Sequence, residues 1–150
     1  MAGTAQYVTL GVAGELFAAP VEQVQEILEM RPVARLPQAP GHLLGITDVR
    51  GEGVPVLDLR LTLGLPGAED TENTRIVVLN VDGNASHRTV GLRTDRVYEV
   101  TVLDSDELDA PPSVSGGWKE HAVAGIGRRN GAFVTILDLE RLLGHVRQAA

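Results

Sequence analysis

Apolar and polar positions alternate from the start of the chain. In 7–12, Val8, Leu10 and Val12 fall on one side and Tyr7, Thr9 and Gly11 on the other, the period of a half-buried strand. Ala13-Gly14 turns the chain into 16–19, which predicts a hairpin. The arrangement returns as RIVVLNV (75–81), a polar tip over 82–88 and TVGLRT (89–94). Between these, 20–30 places Val21, Val24, Ile27 and Leu28 on one helical face behind Pro20, a residue suited to a first turn. Its β-branched content and Pro32 predict that this helix is short and becomes a strand by Gln25.

The closing part of each half is also duplicated. At a shift of 80, GITDVRGEGVPVLDLRLTLG (45–64) lies over GIGRRNGAFVTILDLERLLG (125–144) with nine of twenty columns identical. Ordinary composition gives about one or two by chance. Upstream, VQEI (24–27) lies over VYEV (97–100) at a shift of 73. Each closing unit runs an apolar strand into an aspartate, Asp58 or Asp138, placed to cap a short helix. After the second, Leu139, Leu142, Leu143 and Val146 fall at helical spacing. Asn130-Gly131 is a strong two-residue hairpin signal. Many short strands with regular turns predict barrels or sandwiches. We read one pseudo-duplicated domain over 1–150, with repeats at about 6–65 and 75–146, a polar joint GAEDTEN at 67–73 and scope for strand exchange between the halves.

Composition narrows the chemistry. A chain of 150 residues, 43% apolar and 22% charged, is globular in balance. Aromatics at 3% leave Val, Leu, Ile and Ala to build the core. The net charge of −7 argues against nucleic acid or an anionic membrane as the main partner. Cysteine is absent, which excludes disulfides, thiolate catalysis and thiolate metal sites. The N-terminus lacks the pattern of a signal peptide, and no apolar run approaches the ~20 residues of a membrane span, so the expected compartment is the cytoplasm.

Catalytic constellations do not emerge. His42, His87, His121 and His145 are scattered without metal-ligand spacing. The acidic run Asp104, Asp106, Glu107 and Asp109 lacks the central glycine and closing glutamate of a calcium loop, and reads as a solvated loop. The glycine runs lack a phosphate-binding lysine or a following helix, and no serine sits in a nucleophile elbow. No cofactor is expected. One segment is distinctive: 45–55 displays Thr47, Asp48, Arg50 and Glu52 among Gly45, Gly51 and Gly53, charged groups on a tight turn.

The run VEQVQEIL–LP–P–LLGITDVRGEGVPVLDLR, from Val21 to Arg60, resembles the CheW-like domain of chemotaxis coupling proteins. It matches through Val24, Glu26, Ile27, Pro37, Pro40, Gly45, Ile46, Val49, Arg50, Gly51, Val54, Pro55, Val56, Asp58, Leu59 and Arg60. VGLRTDRVYEV and the closing GIGRRNGAFVTILDLERLL extend the resemblance to about 6–146. The chain departs at Asp48, where the family has asparagine, and at Gly53, where it has an aliphatic residue. The resemblance implies a mainly all-β fold of two packed five-stranded SH3-like barrels with short helices. It implies a non-enzymatic adaptor that couples chemoreceptors to the histidine kinase CheA. The partners it implies are the regulatory domain of CheA, the coiled-coil tip of a chemoreceptor held in a groove between the barrels, and other CheW-like domains in rings, with recruitment to membrane-attached arrays and no insertion of its own. It assigns coupling to Val24, Glu26, Gly45, Asp48, Arg50 and Gly51; for Gly45 and Gly51 a purely structural need for positive φ is the competing reading. Two other functions stay open: the same module in surface or twitching motility, and more distantly a small ligand-binding barrel or enzyme.

Overall fold

A computed structural model describes residues 3–83, 86–110 and 123–143, with side chains throughout except at 82, 83, 86 and 87. Val146, His121 and His145, the side chain of His87, and Pro111 and Pro112 lie outside the described residues. The strands are β1 Gln6–Val12, β2 Glu15–Pro20, β3 Val24–Glu29, β4 Leu43–Val49, β5 Glu52–Asp58, β6 Arg75–Gly83, β7 Ser86–Thr94, β8 Arg96–Val102, β9 Val123–Arg129 and β10 Ala132–Leu137. A 3₁₀ turn at Val21–Gln23 precedes β3, and the short helix α1, Leu59–Thr62, follows β5. The ambiguous segment after Pro20 thus resolves as a single helical turn followed by a strand. Among the described residues no helix is long and apolar enough to cross a membrane.

The strands form two five-stranded sheets, ordered β8-β1-β2-β10-β9 and β3-β6-β7-β5-β4. Replacing β1 by β6, β2 by β7, β8 by β3, β10 by β5 and β9 by β4 turns one order into the other. Each sheet therefore takes its hairpin β1–β2 or β6–β7 from one repeat and its other three strands from the other repeat. Four pairings among the described strands join the repeats, β10 with β2 and β5 with β7 in parallel and β1 with β8 and β3 with β6 antiparallel; the remaining neighbours are antiparallel. Each sheet curls into a barrel, with Ala34 bridging Ile46 in one and Asp109 bridging Ile126 in the other.

Three apolar clusters hold this arrangement. The largest is shared between the barrels and includes Leu10, Val12, Leu57, Leu59, Leu79, Leu92, Leu137 and Leu139. Ala18, Leu103, Val134 and Ile136 fill the interior of the first barrel, and Val56, Ile76 and Val78 that of the second. β1 is consequently not half-buried. Val8, Leu10 and Val12 face the shared core, while Tyr7 packs on the first barrel's interior and Thr9 is buried, its hydroxyl donating to the Glu99 carbonyl at 3.1 Å. A strand between two packed layers has no solvent face, and its polar positions survive only by finding partners.

Both expected caps form. Asp58 Oδ1 accepts the amides of Arg60 at 2.9 Å and Leu61 at 3.5 Å, and Asp138 Oδ1 accepts that of Arg141 at 3.0 Å, at the start of the helical turn 139–143. The acidic run is more engaged than a solvated loop. Asp104 accepts the amides of Asn130 and Gly131 at 2.9 and 3.0 Å, and Asp106 accepts those of Thr4 and Ala5 at 2.8 and 3.0 Å. These backbone N–H groups favour the ionised form and hold both carboxyls below their ordinary pKa.

Candidate functional site

Among the described residues, three hairpins close through two-residue turns whose central residues both have positive φ: Ala13-Gly14 (52° and 78°), Arg50-Gly51 (53° and 85°) and Asn130-Gly131 (53° and 82°). This is the turn whose twist matches paired strands, and it suits Asn-Gly best. Arginine gains nothing there. A non-glycine residue in the left-handed region costs about 1–2 kcal/mol, so the chain places a bulky cation where its backbone is strained.

The side chain shows what that placement achieves. Arg50 is 74% exposed at the β4–β5 tip, and its two terminal nitrogens each meet one carboxylate oxygen of Glu26 at 3.2 Å; Glu26 is 19% exposed. The contact has the fork-to-fork geometry that only a guanidinium provides. As an exposed pair it adds little stability, but it holds the cation in one orientation above the open end of the second barrel. A cavity of about 430 Å³ opens beside it, lined by Gln25, Val49, Arg50, Glu52, Val54, Asn80 and Thr89.

The other sequence-assigned residues divide into surface and framework. Asp48 is exposed on the same tip, across from Gly53. Gly51 sits beside Arg50 with open space around its α-carbon. Gly45, by contrast, is buried at φ 146°, and a Cβ there would run into the carbonyl of Ala34. Val24 is half-buried and packs on the shared core. Glu26, Asp48, Arg50 and Gly51 therefore form one surface, while Gly45 and Val24 lie in the structure behind it.

Two ionic clusters were invisible to local sequence reading. Arg93, only 3% exposed, meets Asp70 Oδ1 through Nε at 2.6 Å, Asp58 Oδ2 at 3.5 Å and the Ala68 carbonyl at 2.9 Å. It fastens the polar joint to the cap of α1 and lines a cavity of about 490 Å³ at the other end of the second barrel. Arg60 Nε lies 2.9 and 3.0 Å from the oxygens of Asp95, which also accepts the Ala13 amide at 2.8 Å. Burial pushes the Asp95 carboxyl up, but hydrogen bonds from Arg60 and Ala13 and the nearby cations outweigh it, so its pKa lies below the ordinary value. The same contact raises that of Arg60. The partners are 23 to 35 positions apart in sequence, beyond the reach of any helix or strand period.

Comparison with known proteins bears on the family and the fold. Residues 6–147 match the family model described as the CheW-like domain. The chain is 28% identical over 138 residues to the chemotaxis protein CheW of Helicobacter pylori, spanning 92% of this chain and 81% of that one. It is 29% identical over 132 residues to the protein FrzA of Myxococcus xanthus, spanning 87% and 80%. The crystal structure of the scaffolding protein TtCheW from Thermoanaerobacter tengcongensis superposes with a TM-score of 0.80 at 25% identity, covering 92% of this chain and 91% of that one.

Proposed function

The chain belongs to the CheW-like domain family, and from that premise we propose that it is a scaffold that couples chemoreceptors to the histidine kinase CheA. The regulatory domain of CheA docks on the β4–β5 tip through Asp48, Arg50 and Gly51, with Glu26 orienting Arg50. The coiled-coil tip of the receptor lies in the groove between the barrels. There β3 carries Ile27 and β8 carries Val100, both exposed although their ladder partners Val77 and Val8 belong to the shared core. Val24 and Gly45 set the position of this surface from behind. The protein reaches the membrane-attached array through these partners and through other CheW-like domains.

The observation that carries the reading is Arg50. A strained backbone, an exposed cation and a fork on Glu26 have no stabilising purpose, and such strain concentrates where a surface is used. Substitution should therefore separate stability from binding. Arg50→Asn relaxes the turn, so the thermal midpoint stays level or rises, while affinity for the kinase regulatory domain falls about tenfold or more. Biolayer interferometry and a thermal melt on the same preparations measure both. A variant that binds as well as wild type removes Arg50 from the interface.

One relative, the protein FrzA, is not named for chemotaxis, and the second reading is the same coupling role in a chemosensory system other than flagellar chemotaxis. Deletion strains scored on soft agar and on a firm surface separate the two.

A further inference from the structure

Of the four asparagines in the chain, Asn130 is the one that a glycine follows; Asn73, Asn80 and Asn84 precede threonine, valine and alanine. A glycine nitrogen has no neighbouring side chain to hinder its attack on an asparagine amide. Asn130 is exposed at the β9–β10 tip, and its side-chain amide makes no hydrogen bond among the described residues. Nothing lies within 4 Å of where a Cβ of Gly131 would stand, so a ring has room to close.

The reaction open to this pair is deamidation. The Gly131 nitrogen gives up its proton to hydroxide and bonds to Asn130 Cγ. The Cγ–Nδ2 bond breaks, and the amide nitrogen takes a proton from water and leaves as ammonia, so the backbone closes into a cyclic imide. Water then opens the imide at one of its two carbonyls, leaving aspartate or, with the chain rerouted through the side-chain carbon, isoaspartate. Nothing is oxidised, and water is the only co-reactant.

Asp104 stands against the first step. Its own amide donates to the Arg128 carbonyl at 2.8 Å, which docks it on β9, while its two carboxylate oxygens accept the amides of Asn130 and Gly131 at 2.9 and 3.0 Å. A negative charge on the Gly131 N–H disfavours loss of that proton, and two charge-assisted hydrogen bonds hold the peptide in the turn and away from Cγ. The other turns are held differently. Asp95 accepts the Ala13 amide at 2.8 Å, with no side-chain acceptor for Gly14 among the described residues. At the shift of 73, Asp104 lies over Arg31, which donates to the Asp48 carbonyl at 3.1 Å and leaves the amides of Arg50-Gly51 untouched. Among the described residues, a carboxylate on both central amides thus occurs only at the turn that carries asparagine.

We propose that Asn130 is a deamidation site whose rate is set by the Asp104 clamp: the imide forms only when the carboxylate releases the two amides. Conversion then keeps the clamp open. A carboxylate replaces a neutral amide next to Asp104, and isoaspartate adds a backbone carbon to the turn that fixes the pairing of Ala132 with Arg129. The modified β9–β10 tip loosens, whereas Arg50 and Glu26 sit on the other barrel and stay as they are. The inference is therefore independent of the coupling role.

The full chain, incubated in mildly alkaline buffer and sampled over time, tests this. Trypsin releases 130–141 as one peptide, in which deamidation reads as a one-unit mass gain and isoaspartate as a substrate for carboxyl methylation. Wild type should convert at least about tenfold more slowly than a synthetic peptide of residues 125–135, and Asp104→Ala about tenfold faster than wild type, the factor expected for losing a hydrogen bond to a charged acceptor. Asp106→Ala frees the amides of Thr4 and Ala5 instead and should keep the wild-type rate, which separates the clamp from general loosening. A wild-type rate equal to that of the peptide, an unchanged rate in Asp104→Ala, or an equal rise in Asp106→Ala overturns the proposal.

Discussion

Gly45 and Gly51 stand six positions apart in one hairpin, and the structure gives them different costs of substitution. At Gly51, φ is 85° and nothing lies within 4 Å of an added Cβ. Gly51→Ala therefore carries only the left-handed penalty of about 1–2 kcal/mol. At Gly45, φ is 146° and the added methyl meets the Ala34 carbonyl. That carbonyl accepts the Ile46 amide at 2.8 Å, and the Ala34 amide donates back to Ile46 at 2.8 Å. Moving Ala34 aside endangers both bonds, each worth about 0.5–1.5 kcal/mol, in addition to the backbone strain. Gly45→Ala should thus cost about 1–3 kcal/mol more than Gly51→Ala, a gap of roughly 2–12 °C in midpoint for a domain of this size. Asparagine sharpens the contrast, because it tolerates the left-handed region. Gly51→Asn should be close to neutral and Gly45→Asn as damaging as alanine. Urea and thermal melts followed by circular dichroism give all four values. Equal midpoints for Gly45→Ala and Gly51→Ala would refute the assignment of Gly45 to the framework.

Other outcomes follow from the ionic clusters. Arg93→Met leaves the buried Asp58 carboxylate without its cation, whereas Asp70→Asn removes a half-exposed carboxylate and leaves Arg93 paired with Asp58. Stranding a buried charge is the costlier change, so Arg93→Met should lower the urea midpoint more than Asp70→Asn does. Asp95 has a depressed folded pKa, so its contribution to stability is present above the unfolded carboxylate value near 3.8 and is lost as pH falls through the folded value. Between neutral pH and that window Asp95→Asn should be less stable than wild type, and the difference should close as acid is added; a constant difference contradicts the linkage. Asp104 follows the same sign. Acidification should speed hydrogen exchange at the Asn130 and Gly131 amides relative to the intrinsic rate, and Asp104→Asn should remove that acid-induced loss of protection.

Much of this architecture was legible because it is written in short range. Alternation marked β1 and β6, Asn130-Gly131 marked a hairpin, and the duplicated Asp58 and Asp138 marked two caps. Pro20 and the β-branched run after it located the change from helical turn to strand. Partner choice was not legible. Nothing in Phe17 or Leu57 states that β2 will lie parallel to β10, or β5 to β7, because period-two patterning fixes which face is buried and not which strand covers it. The same limit hid the second buried face of β1. At the site, resemblance gathered Val24, Glu26, Gly45, Asp48, Arg50 and Gly51 into one group, and geometry divides them, since exposure and the clash at Ala34 are properties of the folded chain. Arg93, Asp70, Asp95 and Arg60 were missed because ion pairs across a fold leave no local spacing to read.

The central claim is that a strained, oriented arginine makes this chain a coupler. A reconstituted assembly of the purified chain, CheA kinase and membrane-bound receptor tests it most directly, with autophosphorylation rate as the readout. Wild type should bring the kinase under receptor control, and Arg50→Asn, equally stable, should leave the kinase near its uncoupled rate. Full receptor control with Arg50→Asn, or none with wild type, would contradict the account.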